Sequence, residues 1–284
     1  MPAQPARLAE VKVGDIRIVF LPDGSAALEP TAAFPETNKE IWQSHSKWLD
    51  HQGRLVASFG SFLIRTGARN ILVDLGFGDK GVDFPGFGPL MGGALLESLR
   101  IAKLEPGDID TVVYTHLHLD HVGWTSHAVG HTRVPTFPRA RHLTMKEEWE
   151  YWYGKDDPLG PDRHEVQDHL ENCVEFVSDG QAIAPGVNIL ATPGHTPGHL
   201  SVVISSGTER AILFGDSMHC PVQFEATEWA MVADVDKELA KRTRERVIRE
   251  LEDPSTFGAA AHFSNFIFGR LMLAEGKRQW TMVA

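Results

Sequence analysis

Three histidines and an aspartate, His116, His118, Asp120 and His121, fall within six positions of the stretch THLHLDHVGW at 115–124. The run ahead of it, DIDTVVYT, is apolar and β-branched and reads as a buried strand, so the cluster stands at a strand's C-terminal end. Alternate side chains of an extended segment share a face. His116 and His118 therefore point the same way, Asp120 can follow, and His121 is the first out of register. One segment thus supplies ligand directions for two adjacent metal ions. Imidazole and carboxylate are the ordinary ligands of Zn²⁺ and its first-row neighbours. Crowded together without a cation they would disturb one another's protonation strongly.

Polar, ligand-capable residues recur in comparable places. His195 lies in ATPGHTPGH after a strand, Asp216 closes the apolar run AILFG, and His262 follows FGAAA. Such residues at successive strand ends converge on one rim of a sheet, which demands a fold whose strands point that way.

The remaining pattern supplies the strands. VKVGDIRIVFLPDG alternates apolar and polar residues before an expected Asp-Gly turn at 23–24. ASFGSFLIRTG and NILVDLGFGD read as two strands joined by TGARN, an antiparallel hairpin. Residues 80–93, rich in Gly, Pro and Phe, read as a loop with exposed aromatics, and 94–104 as a short amphipathic helix. GVNILATPGHTPGHLSVVISS is strand, loop, strand. The clearest helix spans 236–253, with Leu239, Thr243, Val247 and Leu251 in one stripe. TFGAAAHFS is the last short strand. No linker or low-complexity tract divides residues 1–284, so a single α/β (α+β) domain is expected, with two sheets packed together and helices outside.

The net charge of −11 argues against nucleic acid as a partner. The basic stretch KRTRERVIR, 241–249, is interleaved with Glu and reads as a solvated helix face. Cys173 and Cys220 lie in no disulfide-framework spacing and are read as reduced thiols. The first residues show no signal-peptide pattern and no stretch has the length of a membrane span, so a cytoplasmic protein with no membrane partner is expected.

HxHxDH at 116–121, GH at 194–195, GD at 215–216 and the terminal His262 resemble the metallo-β-lactamase fold superfamily, in order and rough spacing, from about residue 10 to residue 270. The resemblance implies a four-layer αβ/βα sandwich of two mixed β-sheets with flanking helices. It also implies a dinuclear site: His116, His118 and His195 on one metal, Asp120, His121 and His262 on the other, and Asp216 between them. Asp74 in VDLGFG corresponds to an acidic motif that supports the site by hydrogen bonds. The presence of His121 and Asp216 departs from the true β-lactamases. His118 stands where the diiron oxygen-reducing branch carries Glu, which favours hydrolysis. The intact set resembles the dinuclear branch near the quorum-quenching lactonases.

The activity implied by the resemblance is that of a metal-dependent hydrolase in which a metal-bridging hydroxide cleaves a small ester or lactone. Phosphotriester, phosphodiester or thioester hydrolysis on the same site is the alternative. A nucleic-acid-processing enzyme and a non-catalytic metal-binding protein are less favoured. Zn²⁺ is expected, with Mn²⁺, Fe²⁺ and Co²⁺ compatible. Asp120 is the candidate for orienting the hydroxide and passing on its proton. His219 stands where acyl-homoserine lactonases carry a substrate-touching Tyr, and either replaces it or only supports the loop. His199, Thr115, Thr196 and Ser217 are candidates for holding the site. Phe84, Phe87, Met91, Trp124, Phe137, Phe266 and Phe268 are candidates for lining an apolar cleft for a small-molecule substrate. Exposed apolar loops are equally compatible with a homodimer contact.

Overall fold

The computed structural model describes residues 2–283. In chain order the first sheet takes β1 (Ala9–Val13), β2 (Ile16–Leu28), β3 (Leu55–Thr66), β4 (Arg69–Val73), β5 (Gly81–Phe84), β6 (Gly88–Met91) and β7 (Thr111–Val113). A separate hairpin follows, β8 (Ser126–Val129) and β9 (Thr132–Pro135), before β10 (Arg141–Met145) and β11 (Val174–Val177) rejoin that sheet. The second sheet is β12 (Ala182–Ala184), β13 (Val187–Ala191), β14 (Leu200–Ser206), β15 (Glu209–Leu213), β16 (Thr256–Ala259), β17 (Phe268–Ala274) and β18 (Lys277–Met282), side by side in that order. Both sheets are mixed. β4, β7, β10 and β11 are parallel, as are β15 and β16, while the other pairings are antiparallel.

Each sheet is apolar on both faces, and the period of two sorts the layers. Along β2, Ile18 and Phe20 face Val202 and Ile204 of the other sheet across a shared core. Val19 and Leu21 turn the other way, towards Leu95 and Leu99. Those two belong to a helical layer that takes in α3 of the six helices α1 (Pro30–Ala33), α2 (Lys39–Ser44), α3 (Leu95–Ile101), α4 (Lys146–Trp152), α5 (Asp168–Leu170) and α6 (Lys237–Leu251). On the far side Val203 and Ile212 pack against Val247, Ile248 and Leu251 of α6. The result is helix, sheet, sheet, helix, the mixed α/β sandwich expected from the sequence. Asp236 caps α6 by accepting from the Leu239 N–H at 2.9 Å.

Three expectations fail. β2 does not turn at 23–24; it runs through with an irregularity between Pro22 and Gly24. Gly24 is needed there for close approach, since a Cβ would lie 1.8 Å from the Met91 carbonyl oxygen. Residues 80–93 are not a loop but contain the β5–β6 hairpin, whose β6 pairs with β2. Backbone pairing, invisible to hydrophobic period, holds it. The strand at 256–259 is not the last, because β17 and β18 extend the sheet beyond it.

β4 and β7 run parallel, and β15 and β16 run parallel, with β13 in the same direction as β15. The connections that leave their C-terminal ends carry Asp74, residues 115–121, His195, Asp216 and His262. The rim expected from the sequence is therefore a product of strand direction.

Candidate metal centre

The seven residues singled out as ligands meet at this rim. Nδ1 of His118 lies 3.0 Å from Nε2 of His116 and 2.9 Å from Nε2 of His195. Nε2 of His121 and Nε2 of His262 are 3.1 Å apart. Asp216 stands against both groups, with Oδ2 3.0 Å from His262 Nε2 and 3.4 Å from His195 Nε2, and Oδ1 3.4 Å from His121 Nε2. Asp120 Oδ2 is 3.5 Å from His262 Nε2 and 3.7 Å from His121 Nε2. All are buried except Asp120, which is partly open to solvent. Each group spans the two sheets: His116 and His118 meet His195, and Asp120 and His121 meet His262.

Neighbouring acceptors fix the tautomers. A carboxylate or carbonyl only accepts, so a ring nitrogen bonded to one must carry the proton. His121 Nδ1 donates to Asp74 Oδ2 at 2.9 Å, His195 Nδ1 to Asp234 Oδ1 at 2.8 Å, and His262 Nδ1 to the Ser58 carbonyl at 2.9 Å. The Thr115 hydroxyl donates to Asp74 Oδ2 at 2.8 Å, which leaves its oxygen to accept from His116 Nδ1 at 3.1 Å. In the neutral rings the four Nε2 atoms then present bare lone pairs to the centre. With both rings neutral, the lone pairs of His121 and His262 would face each other, and Asp216 Oδ1 is buried without a hydrogen-bond partner. Two ligands about 2.0 Å from one tetrahedral zinc would be about 3.3 Å apart, close to the observed spacings. The donor set fits a pair of divalent cations.

Burial, then the neighbouring His121, holds His116 well below the usual imidazole range; burial and His195 do the same for His118. Both are neutral, as ligands must be. Burial would raise the Asp216 carboxyl, but His262, His121 and His116 outweigh it and hold it well below its usual value. Burial would lower His121 and His262, but the Asp216 and Asp120 carboxylates raise both above theirs.

Several supports were expected. Asp74, with φ of 60°, accepts from the Thr115 N–H at 2.7 Å as well as from its hydroxyl. His199 Nε2 accepts the Asp216 N–H at 2.9 Å and so aims that carboxylate. Thr196 donates to Glu148 Oε2 at 2.6 Å, whereas the Ser217 hydroxyl has no partner.

Others went unread. Glu148 on α4 is fully buried and accepts from the Leu117 N–H, the Trp152 indole, Thr196 and the Gly198 N–H, tying the histidine-rich segment to the His195 loop. The acid inside EEWEYWYG, four residues before Trp152, was its only signal. Asp234 also accepts from Arg244 Nη2 at 3.3 Å. Arg244 corrects the reading of α6 as a solvated basic face: it is fully buried, and its Nε and Nη1 donate to the Ser217 and Thr227 carbonyls at 3.0 and 2.5 Å. Basic composition cannot show that one arginine of the run points inward.

Above the donors lies a narrow apolar cavity of about 80 Å³. Phe84 and Phe87 line it as expected. Trp124 is instead buried with its indole N–H on Asp23, Phe137 and Phe268 belong to the core, and Met91 and Phe266 are exposed. His219 lines the cavity with Nε2 3.1 Å from Asp216 Oδ2. Neither of its ring nitrogens has an aligned hydrogen-bond partner, and the ring lies parallel to that of His262 at 5.8 Å. Cys220 beside it is buried, with burial pushing the thiol up to about 12, and Cys173 is exposed; both are free. Among the described residues no helix is long and apolar enough to cross a membrane.

Known proteins resemble this chain in sequence and in fold. The N-acyl homoserine lactonase of a Bacillus species is 27% identical over 212 residues, covering 66% of this chain and 76% of its own. The N-acyl homoserine lactonase AttM of Rhizobium radiobacter is 28% identical over 130 residues, or 42% of this chain and 44% of its own. The dizinc quorum-quenching lactonase AidC superposes with a TM-score of 0.83 at 21% identity, covering 98% of this chain and 97% of its own. The hydrolase AbOPH superposes with a TM-score of 0.79 at 26% identity over 99% of both chains. The family model for the metallo-beta-lactamase superfamily matches residues 61–253, and the chain belongs to that superfamily.

Proposed function

We propose that the protein is a metal-dependent hydrolase of small lactones or esters. The observation that carries this reading is the pair of three-donor groups, with Asp216 within reach of both, beside an apolar cavity. We assign His116, His118 and His195 to one cation and Asp120, His121 and His262 to the other, with Asp216 on both. Zinc suits these donors, and Mn²⁺, Fe²⁺ and Co²⁺ accept similar sets. Two such cations, when bound, lower the pKa of water towards about 7 and polarise a carbonyl.

The chain's own groups do the rest. The apolar walls hold the substrate and exclude bulk water. Burial lowers His219, so it enters the reaction as a neutral ring. We assign the N–H of that ring to the substrate oxygen on which charge develops, in place of its approach to Asp216. Asp120, the most exposed of the donors, takes the proton of the attacking water and delivers it to the leaving alkoxide. Water adds across the C–O bond and a hydroxy acid leaves.

Elemental analysis should give two metals per chain, and a panel of lactones, aryl esters, thioesters and phosphotriesters should show the lactones or esters turned over fastest. Full activity in chelated, metal-free protein would refute the reading.

A further inference from the structure

The cavity wall is uniformly apolar. Beyond the six His and Asp side chains at its floor, the cavity is lined by twelve residues, every one of them Ala, Leu, Phe or Met. Much of the wall's backbone is already engaged. Ala26 pairs with Ala57 on one side and with Leu90 on the other, and Leu28 pairs with Leu55, so these stretches belong to sheet ladders. The Leu119 N–H is taken by the Leu159 carbonyl at 2.9 Å. At the floor, the ligand set is committed to the centre, which leaves His219 for the reacting oxygen.

Resting on the lactone reading above, we propose that the enzyme prefers lactones whose substituent joins the ring through carbon, alkyl or aryl, and discriminates against lactones carrying an acylamino group. An amide that enters this cavity gives up water from its N–H and C=O and faces a wall of hydrocarbon side chains above a floor whose donors are committed to the centre. A buried amide without a partner binds worse than two methylenes of the same shape.

The test is a matched pair on metal-loaded protein: N-hexanoyl-homoserine lactone against α-heptyl-γ-butyrolactone, in which methylenes replace the amide. Each kcat/KM is divided by that lactone's own hydroxide-catalysed rate, because the amide activates the ring. We expect the alkyl lactone to be favoured about tenfold or more. Ala57→Ser, which hangs a hydroxyl on the wall, should narrow that ratio. Equal or faster turnover of the acylamino lactone overturns the proposal, and so does a ratio unmoved by Ala57→Ser. If neither lactone is hydrolysed while an aryl ester or phosphotriester is, the lactone reading itself falls, and the proposal with it.

Discussion

Asp234 and His219 separate two jobs that single side chains do at this centre. Asp234 touches no substrate; it fixes which nitrogen of His195 keeps its proton. Asp234→Asn replaces that acceptor with an amide that can present N–H instead, so metal affinity should fall about tenfold to a hundredfold, as read by competition with a chelator. His219→Ala should keep both metals by elemental analysis yet lose about a hundredfold in kcat, the usual cost of one donor to a developing oxyanion. Loss of metal in that variant would make His219 a ligand instead. The sequence marked the seven donors because HxHxDH packs chemistry into one short segment. Asp234 and Arg244 stayed hidden because each is one charged residue in an unremarkable stretch, and only the fold sets them beside His195.

Elements are joined to the centre through buried carboxylates. Asp23, within β2, accepts from the N–H groups of Phe77, Gly78, Gly93 and Leu95 and from the Trp124 indole. It thereby pins the turn after β4, the start of α3 and the end of the histidine-rich segment. Asp23→Ala leaves those donors buried without a partner, and stability should fall by about 3 kcal/mol or more, measured as a shift in the denaturation midpoint. Glu148→Ala should act similarly, with disorder spreading to the His195 loop in hydrogen exchange. Strand alternation and the long amphipathic α6 were legible because they follow from one period each. Asp23-Gly24 looked like a turn because that dipeptide usually is one; here the glycine admits the β6 backbone and the aspartate is a hub. The β5–β6 hairpin and the last two strands were missed because β5 and β18 are largely exposed, and a strand that buries neither face carries little hydrophobic period.

For the whole molecule, proton and metal linkage set the working range. Burial lowers His142, which sits against Tyr114, to about 4, with a contact to the Phe137 backbone offsetting part of the effect. An unfolded histidine titrates near 6.5, so the unfolded chain binds more protons between these values. Stability is therefore complete above pH 6.5 and is lost as pH falls towards 4, by a few kcal/mol, roughly, from this group. In chelated protein, His142→Gln should flatten the slope of melting temperature against pH across that window. Chelation should itself lower the melting temperature, and excess zinc should restore it, because the cations bind the folded chain alone. The span of each donor group from one sheet to the other adds something that equilibrium values do not show. A cation seated there works as a clasp between the halves of the sandwich. Stripping the metals should therefore speed hydrogen exchange along the strand ends at this rim.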